Sequence, residues 1–206
     1  MSEAEPPAYL RPYLTAARRY GAGFGTLLWA SPRTQAARFD ALVRAATGRS
    51  IRGHRVLDVG CGRADLLDHL RRRDVRPASY VGIEAVDELA TAAEQKGATI
   101  VRGDFVRQPE LLRAAGADVV LVSGALNTMD AEAFYRCVAA AFEATGEVLA
   151  FNFLAGPALA AADHLTWHRP ADVRAFAASL SDDVGFWDDY LPGDATVAVR
   201  KANAER

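Results

Sequence analysis

The sequence predicts an α/β domain: a doubly wound, mostly parallel seven-stranded sheet with an antiparallel C-terminal hairpin, preceded by N-terminal helices. Three observations carry that prediction. Five short apolar runs between residues 55 and 153 alternate with stretches of helical period, the pattern of parallel strands joined by helices on both faces. The runs at 184–190 and 195–201 are joined only by Pro192-Gly193-Asp194, too short for a crossover, so they pair antiparallel. Before residue 50 the apolar positions follow helical spacing alone.

Length and composition bound the rest. A chain of 206 residues, 50% apolar and 24% charged, can bury one sizeable core without disulfides or metal. Residues 1–50 read as a helical cap segment of the same domain that 51–206 completes. A net charge of −2 offers no basic footprint, so nucleic acid is a disfavoured partner. Lys96 and Lys201 are the only lysines among 24 basic residues, which fits a GC-rich, bacterial genome. Cys61 and Cys137 form no CxxC pair and no metal-ligand spacing surrounds the histidines, as expected of a reducing cytoplasm. The acidic, proline-containing stretch Met1–Pro7 does not read as a signal peptide, and no apolar run approaches membrane length.

Taken in order, residues 1–8 read as a polar tail. Tyr13, Ala16, Ala17 and Tyr20 mark one helix stopped by Gly21, and 21–25 is too glycine-rich for a regular element. Ser31-Pro32 caps a second helix whose apolar face is Phe39, Leu42, Val43 and Ala46, ending at Gly48. A strand at 55–59 leads to a helix near 63–73, whose Arg71-Arg72-Arg73 reads as a solvated C-terminus. Strands follow at 80–84, 98–102, 118–122 and 147–153. Between them lie a helix closed by Gly97, a short helix near 107–115, and a stripe of Phe134, Cys137, Val138, Ala141 and Phe142 capped by Asp130. A Pro170-started helix precedes the hairpin.

The chemistry concentrates where the first strand turns into its helix. In Asp58-Val59-Gly60-Cys61-Gly62-Arg63-Ala64-Asp65 an acid precedes glycines that let the backbone turn sharply and a ligand approach closely. A dinucleotide fingerprint would need a third glycine where Asp65 stands. Asp58 ahead of the turn repels a pyrophosphate and attracts a cationic ligand.

This loop resembles that of the class I, Rossmann-like, S-adenosylmethionine-dependent methyltransferases, with Ala64 a sterically mild replacement for their third glycine. The resemblance extends over roughly residues 50–201. It implies that Asp58, Gly60, Cys61 and Gly62 cradle S-adenosylmethionine, that Glu84 with Ala85 receives the ribose hydroxyls, and that Asp104 and Phe105 bracket adenine. It also implies that Ser123 and Gly124 complete the cofactor wall, that S-adenosylhomocysteine is the product, and that a small molecule is the acceptor. No metal is implied.

The acceptor itself is not legible. The 123–130 loop lacks the Asn/Asp-Pro-Pro-aromatic tetrad used on planar amino groups and the acid cluster that holds magnesium. Tyr20, Phe24, Trp29, Asn127, Asn152 and Trp167 are expected around the substrate, with ordinary packing the alternative for the N-terminal aromatics. Asn127, His164 and His168 are the candidates for catalysis, although His168 can equally cap the Pro170 helix. A non-catalytic binding module of the same fold is a competing reading, and an NAD(P)-dependent reductase a weaker one.

Overall fold

Residues 5–46, 51–113 and 115–202 are described by the computed structural model. Seven strands form one sheet: β1 (Arg55–Val59), β2 (Ser79–Glu84), β3 (Thr99–Arg102), β4 (Val119–Val122), β5 (Val148–Leu154), β6 (Val184–Trp187) and β7 (Asp194–Arg200). Their spatial order is β3-β2-β1-β4-β5-β7-β6, parallel through β5, with β7 antiparallel to both neighbours. The last strand in sequence therefore inserts between β5 and β6. The order reverses between β1 and β4, and at such a switch point the loops leaving the two strands diverge and open a crevice beyond their C-termini.

Period-two alternation decides which side chain enters which half of the core. Leu57, Val59, Val120, Val122, Leu149, Phe151 and Phe153 face α5 (Ala131–Ala144) and α6 (Pro170–Leu180), where Phe134, Val138, Val173 and Ala177 meet them. Val56, Tyr80, Val119, Leu121, Val148 and Ala150 face the other way, against α2 (Pro32–Ala46) and α3 (Asp65–Arg72). A smaller cluster joins Ala17 of α1 (Arg11–Tyr20) to Val86 and to Leu89 of α4 (Asp87–Gln95), which ties the N-terminal helix to the sheet.

Local signals place most helix ends. Thr34 N–H donates to Ser31 Oγ at 3.1 Å at the start of α2, and Gly21 ends α1 in a positive-φ conformation. The expected stop at Gly48 lies outside the described residues. Asp130 accepts from Ala133 N–H at 2.8 Å and caps α5. Asp130→Ala should cost about 1 kcal/mol of stability, read as a lower midpoint in urea with an unchanged slope.

Three expectations need correction. The 21–25 stretch does contain regular structure, a 3₁₀ turn over Phe24–Leu27, because Thr26 Oγ1 donates to Gly21 O at 2.7 Å and closes the glycine-rich bend. The helix expected near 107–115 is a 3₁₀ segment, Pro109–Arg113. The sixth strand stops at Trp187, not Tyr190, because the Tyr190 hydroxyl turns back to Asp194; the hairpin connection therefore runs from 188 to 193.

Candidate cofactor cleft and adjoining cavity

The turn after β1 sets the geometry. Gly60 has φ +67°, and a Cβ there would lie 2.4 Å from Ala125 Cβ, so a side chain at this position would drive apart the loops following β1 and β4. Ala64 also adopts a left-handed conformation, φ +56°, at zero exposure. Replacing the third glycine is therefore not conformationally mild; it costs about 1 kcal/mol.

Beyond these loops lies a cleft at the strand C-termini. Its lining includes all ten residues expected to hold a cofactor: Asp58, Gly60, Cys61, Gly62, Glu84, Ala85, Asp104, Phe105, Ser123 and Gly124. They come from the ends of β1, β2, β3 and β4, so adjacent parallel strands bring together positions far apart in the chain.

Each acid has a different environment. Asp58 is 3% exposed; burial pushes its carboxyl up to about 7, against the opposing effect of a hydrogen bond from the Tyr80 hydroxyl. Glu84 accepts from Gly62 N–H at 2.7 Å and from Ala85 and Val86 N–H at 2.9 Å each. Burial still raises it, with those three donors opposing. A carboxylate has roughly four acceptor directions, so one further hydroxyl fits without rearrangement and a second would share the Gly62 position. Asp104 accepts from Tyr9 OH at 2.6 Å and Val106 N–H at 3.0 Å. Asp65 also lines the cleft. Burial would raise its pKa, but Lys96 at 2.7 Å and Arg63 at 3.0 Å lower it overall and offset its charge.

The cleft is covered by a segment that sequence reasoning did not assign to it. Tyr9, Leu10 and Tyr13 line it, and Tyr13, its phenol pushed up to about 12 by burial and by Glu84, lies over the β2 end. Tyr13 had the signal of an apolar helical stripe; Tyr9 had none, since its pairing with Asp104 spans 95 positions. Phe39, from a stripe read only as core, Met129 of the loop after β4, and Gln35, which carried no sequence signal, also line it.

The expected substrate residues divide. Trp29 lines both this cleft and a neighbouring cavity, while Asn127 and His164 line the cavity alone. Tyr20 and Phe24 line neither: the Tyr20 ring packs on Gly25 and remains 48% exposed, and Phe24 lies under Arg63. Trp167 lines neither and is exposed. Asn152 is fully buried with its amide committed on both ends, accepting from Ser123 Oγ at 2.7 Å and donating to Thr196 Oγ1 at 2.6 Å. His168 is stacked on Phe134 at 4.0 Å inside the α5–β5 core, where burial lowers its pKa. It is a packing residue: its Nε2 has no hydrogen-bond partner among the described residues, and the N-cap of α6 is Arg169. Cys61 is a buried thiol raised well above its usual range, first by burial and then by Asp58 and Glu84, which opposes any nucleophilic role. Among the described residues no cluster of metal-ligating side chains occurs.

Comparison with known proteins extends this picture. A family model described as "Methionine biosynthesis protein MetW" matches residues 44–134, the part that carries the cleft's first four strand ends. No curated protein matches the chain in sequence. Among solved structures, magnesium protoporphyrin IX methyltransferase (ChlM) from Synechocystis PCC 6803 with bound SAM superimposes at TM-score 0.65 and 16% identity, over 98% of this chain and 100% of that one. The DhpI–SAH complex gives 0.66 at 18% identity, over 96% and 97%. A SAM-dependent methyltransferase from Archaeoglobus fulgidus gives 0.61 at 16%, over 83% and 95%. Strand order, the antiparallel β7 and these superpositions agree: the chain has the Rossmann-like fold of the class I S-adenosylmethionine-dependent methyltransferases and resembles that family.

Proposed function

We propose that the protein binds S-adenosylmethionine in the β1–β4 cleft and transfers its methyl group to a small-molecule acceptor, releasing S-adenosylhomocysteine. The observation that carries this reading is the convergence of Asp58, the Gly60–Gly62 turn, Glu84 and Asp104 on one cleft at the switch point. The donor set fits the cofactor. Asp58 offers negative charge to a ligand ammonium, Glu84 has an acceptor direction left for a ribose hydroxyl, and Asp104 beside Phe105 suits an adenine amine and ring. A Cβ at Gly60 would close the cradle. When bound, the cofactor supplies an electrophilic methyl on sulfur, which an in-line nucleophile displaces.

The chain's own work is then alignment and exclusion of water. Tyr9, Leu10 and Tyr13 cover the cleft, with the Tyr9–Asp104 hydrogen bond as a latch. Tyr9→Phe should speed release of S-adenosylhomocysteine by about ten- to a hundredfold, the worth of one hydrogen bond to a charged group, measured by stopped-flow tryptophan fluorescence. His164, the imidazole among the cavity-lining residues, is the candidate to receive an acceptor proton. Two buried thiols with no disulfide between them fit a reducing, cytoplasmic setting.

The test is incorporation of radiolabelled methyl from S-adenosylmethionine into the small-molecule fraction of a lysate. Sustained incorporation by the wild type and none by Glu84→Ala is expected. Cofactor binding without turnover over any fraction would favour a non-catalytic module.

A further inference from the structure

Tyr13, Leu27, Trp29 and Gly124 line the cofactor cleft on one side and a second cavity on the other. Trp29 packs against Gly124 where the two meet; a Cβ on Gly124 would lie 2.9 Å from its ring. The second cavity lies between α2, the loop after β4 and the 155–165 connection. Its wall is mostly leucine, alanine and Trp29, and Arg38 is the only side chain with a permanent charge among the described residues lining it.

Arg38 is 5% exposed, and a guanidinium in such a place is costly unless it is paired. Asp194 pairs with its Nη2, and its guanidinium lies 4.8 Å from the centre of the Trp29 ring. Five N–H donors are available on a guanidinium, and this pairing leaves some unused: Nε has no acceptor among the described residues. On the same cavity, Asn127 is 7% exposed and its Oδ1 has no donor among the described residues. Buried polar groups are ordinarily satisfied, so two orphans of opposite kind on one apolar cavity mark places for a ligand's acceptor and a ligand's donor.

Arg38 is also held in place. Tyr190 OH donates to Asp194, Thr196 Oγ1 to Tyr190 at 2.8 Å, Asn152 Nδ2 to Thr196 at 2.6 Å, and Ser123 Oγ to Asn152 at 2.7 Å. This chain of hydrogen bonds runs from the cofactor cleft to the guanidinium and fixes it without exposing it to water.

We infer that this cavity is the acceptor site and that it selects a small, otherwise apolar hydroxy-carboxylate, whose carboxylate Arg38 receives and whose hydroxyl donates to Asn127 Oδ1. The inference rests on the methyltransferase reading above. In transfer, the hydroxyl oxygen's lone pair forms the new C–O bond as the methyl–sulfur bond breaks, its electron pair returning to sulfur. Asn127 Oδ1 orients the hydroxyl without taking its proton, since an amide oxygen is not a base; the proton is released as the C–O bond forms and goes to His164, which lines the same cavity.

The test is calorimetric titration of the protein, saturated with S-adenosylhomocysteine, with three probes of one shape: 4-hydroxybenzoate, neutral 4-hydroxybenzamide and cationic tyramine. The carboxylate should bind at least tenfold more tightly than the amide, and tyramine should not bind detectably. Arg38→Met should erase the preference. Because that change strands the buried Asp194, Ala162→Trp serves as the second variant. Ala162 is exposed on the cavity rim, and the indole should abolish 4-hydroxybenzoate binding while leaving S-adenosylhomocysteine affinity within twofold. Equal or tighter binding of the amide or tyramine, binding of none of the three, or a carboxylate unaffected by Ala162→Trp overturns the inference alone. Failure of S-adenosylhomocysteine itself to bind overturns the underlying reading as well.

Discussion

Glu84→Gln should weaken S-adenosylhomocysteine binding by about a hundredfold, about 2.7 kcal/mol, and lower thermal stability at the same time. The glutamine keeps the volume but replaces one acceptor oxygen with an NH₂ group. In the structure Oε2 accepts from Gly62 N–H at 2.7 Å, and Oε1 from Ala85 and Val86 N–H. Whichever end the NH₂ takes, at least one backbone donor faces another donor and is stranded in a site that is 7% exposed. An unsatisfied buried donor costs about 1–3 kcal/mol. The remaining loss in affinity comes from exchanging a charge-assisted bond to a ligand hydroxyl for a neutral one. Calorimetry on the variant reads the first effect and a melting curve the second. A variant that melts lower yet binds as the wild type does would show that Glu84 holds only the turn.

Asp58→Asn should make the protein more stable at pH 8 and a poorer cofactor binder. The sign follows from burial, which lifts the carboxyl to about 7, above its ordinary 3.8, with the Tyr80 hydrogen bond opposing and Glu84 and Asp65 adding to the lift. The folded protein thus holds a proton that the unfolded chain has released. The carboxyl is no burden below about pH 4, and its ionisation destabilises the fold progressively as pH rises to 7, by up to about 4 kcal/mol. Asparagine removes that cost and still accepts from Tyr80. A ligand ammonium reverses the preference, since it favours the ionised acid. Wild-type affinity for S-adenosylhomocysteine should therefore rise about tenfold per unit between pH 5.5 and 7, with one proton released per ligand. Titration in two buffers of different ionisation enthalpy counts that proton. The Asp58→Asn variant should show neither the slope nor the proton.

What the sequence makes legible and what it hides have a common physical basis. Local signals were sufficient for the strand ends: an apolar run followed by an acid and a turn locates Asp58, Glu84 and Asp104, and parallel pairing then assembles them with no further information. The hairpin was legible from the shortness of its connection, but the insertion of β7 between β5 and β6 was not, because pairing partners depend on the whole sheet. Asn152 and His168 lay at the ends of promising segments and turned out to be interior, one bonded at both ends of its amide and the other stacked on Phe134. Period-two alternation gives the face of a strand, but not whether a polar side chain on that face meets a cavity or a partner. Tyr9 and Arg38 were invisible for the opposite reason. Their partners, Asp104 and Asp194, lie far along the chain, and nothing local distinguishes such residues from an ordinary surface tyrosine or arginine.

The central claim is that the cleft at the ends of β1 to β4 binds a nucleoside carrying a cationic amino-acid tail. Calorimetric titration of the wild type with S-adenosylmethionine and S-adenosylhomocysteine, alongside Asp58→Ala and Glu84→Ala, tests it most directly. The prediction is saturable binding of both ligands at one site per chain, weakened about a hundredfold or more in each variant. Absence of binding by either ligand to the folded wild type at millimolar concentration would contradict it.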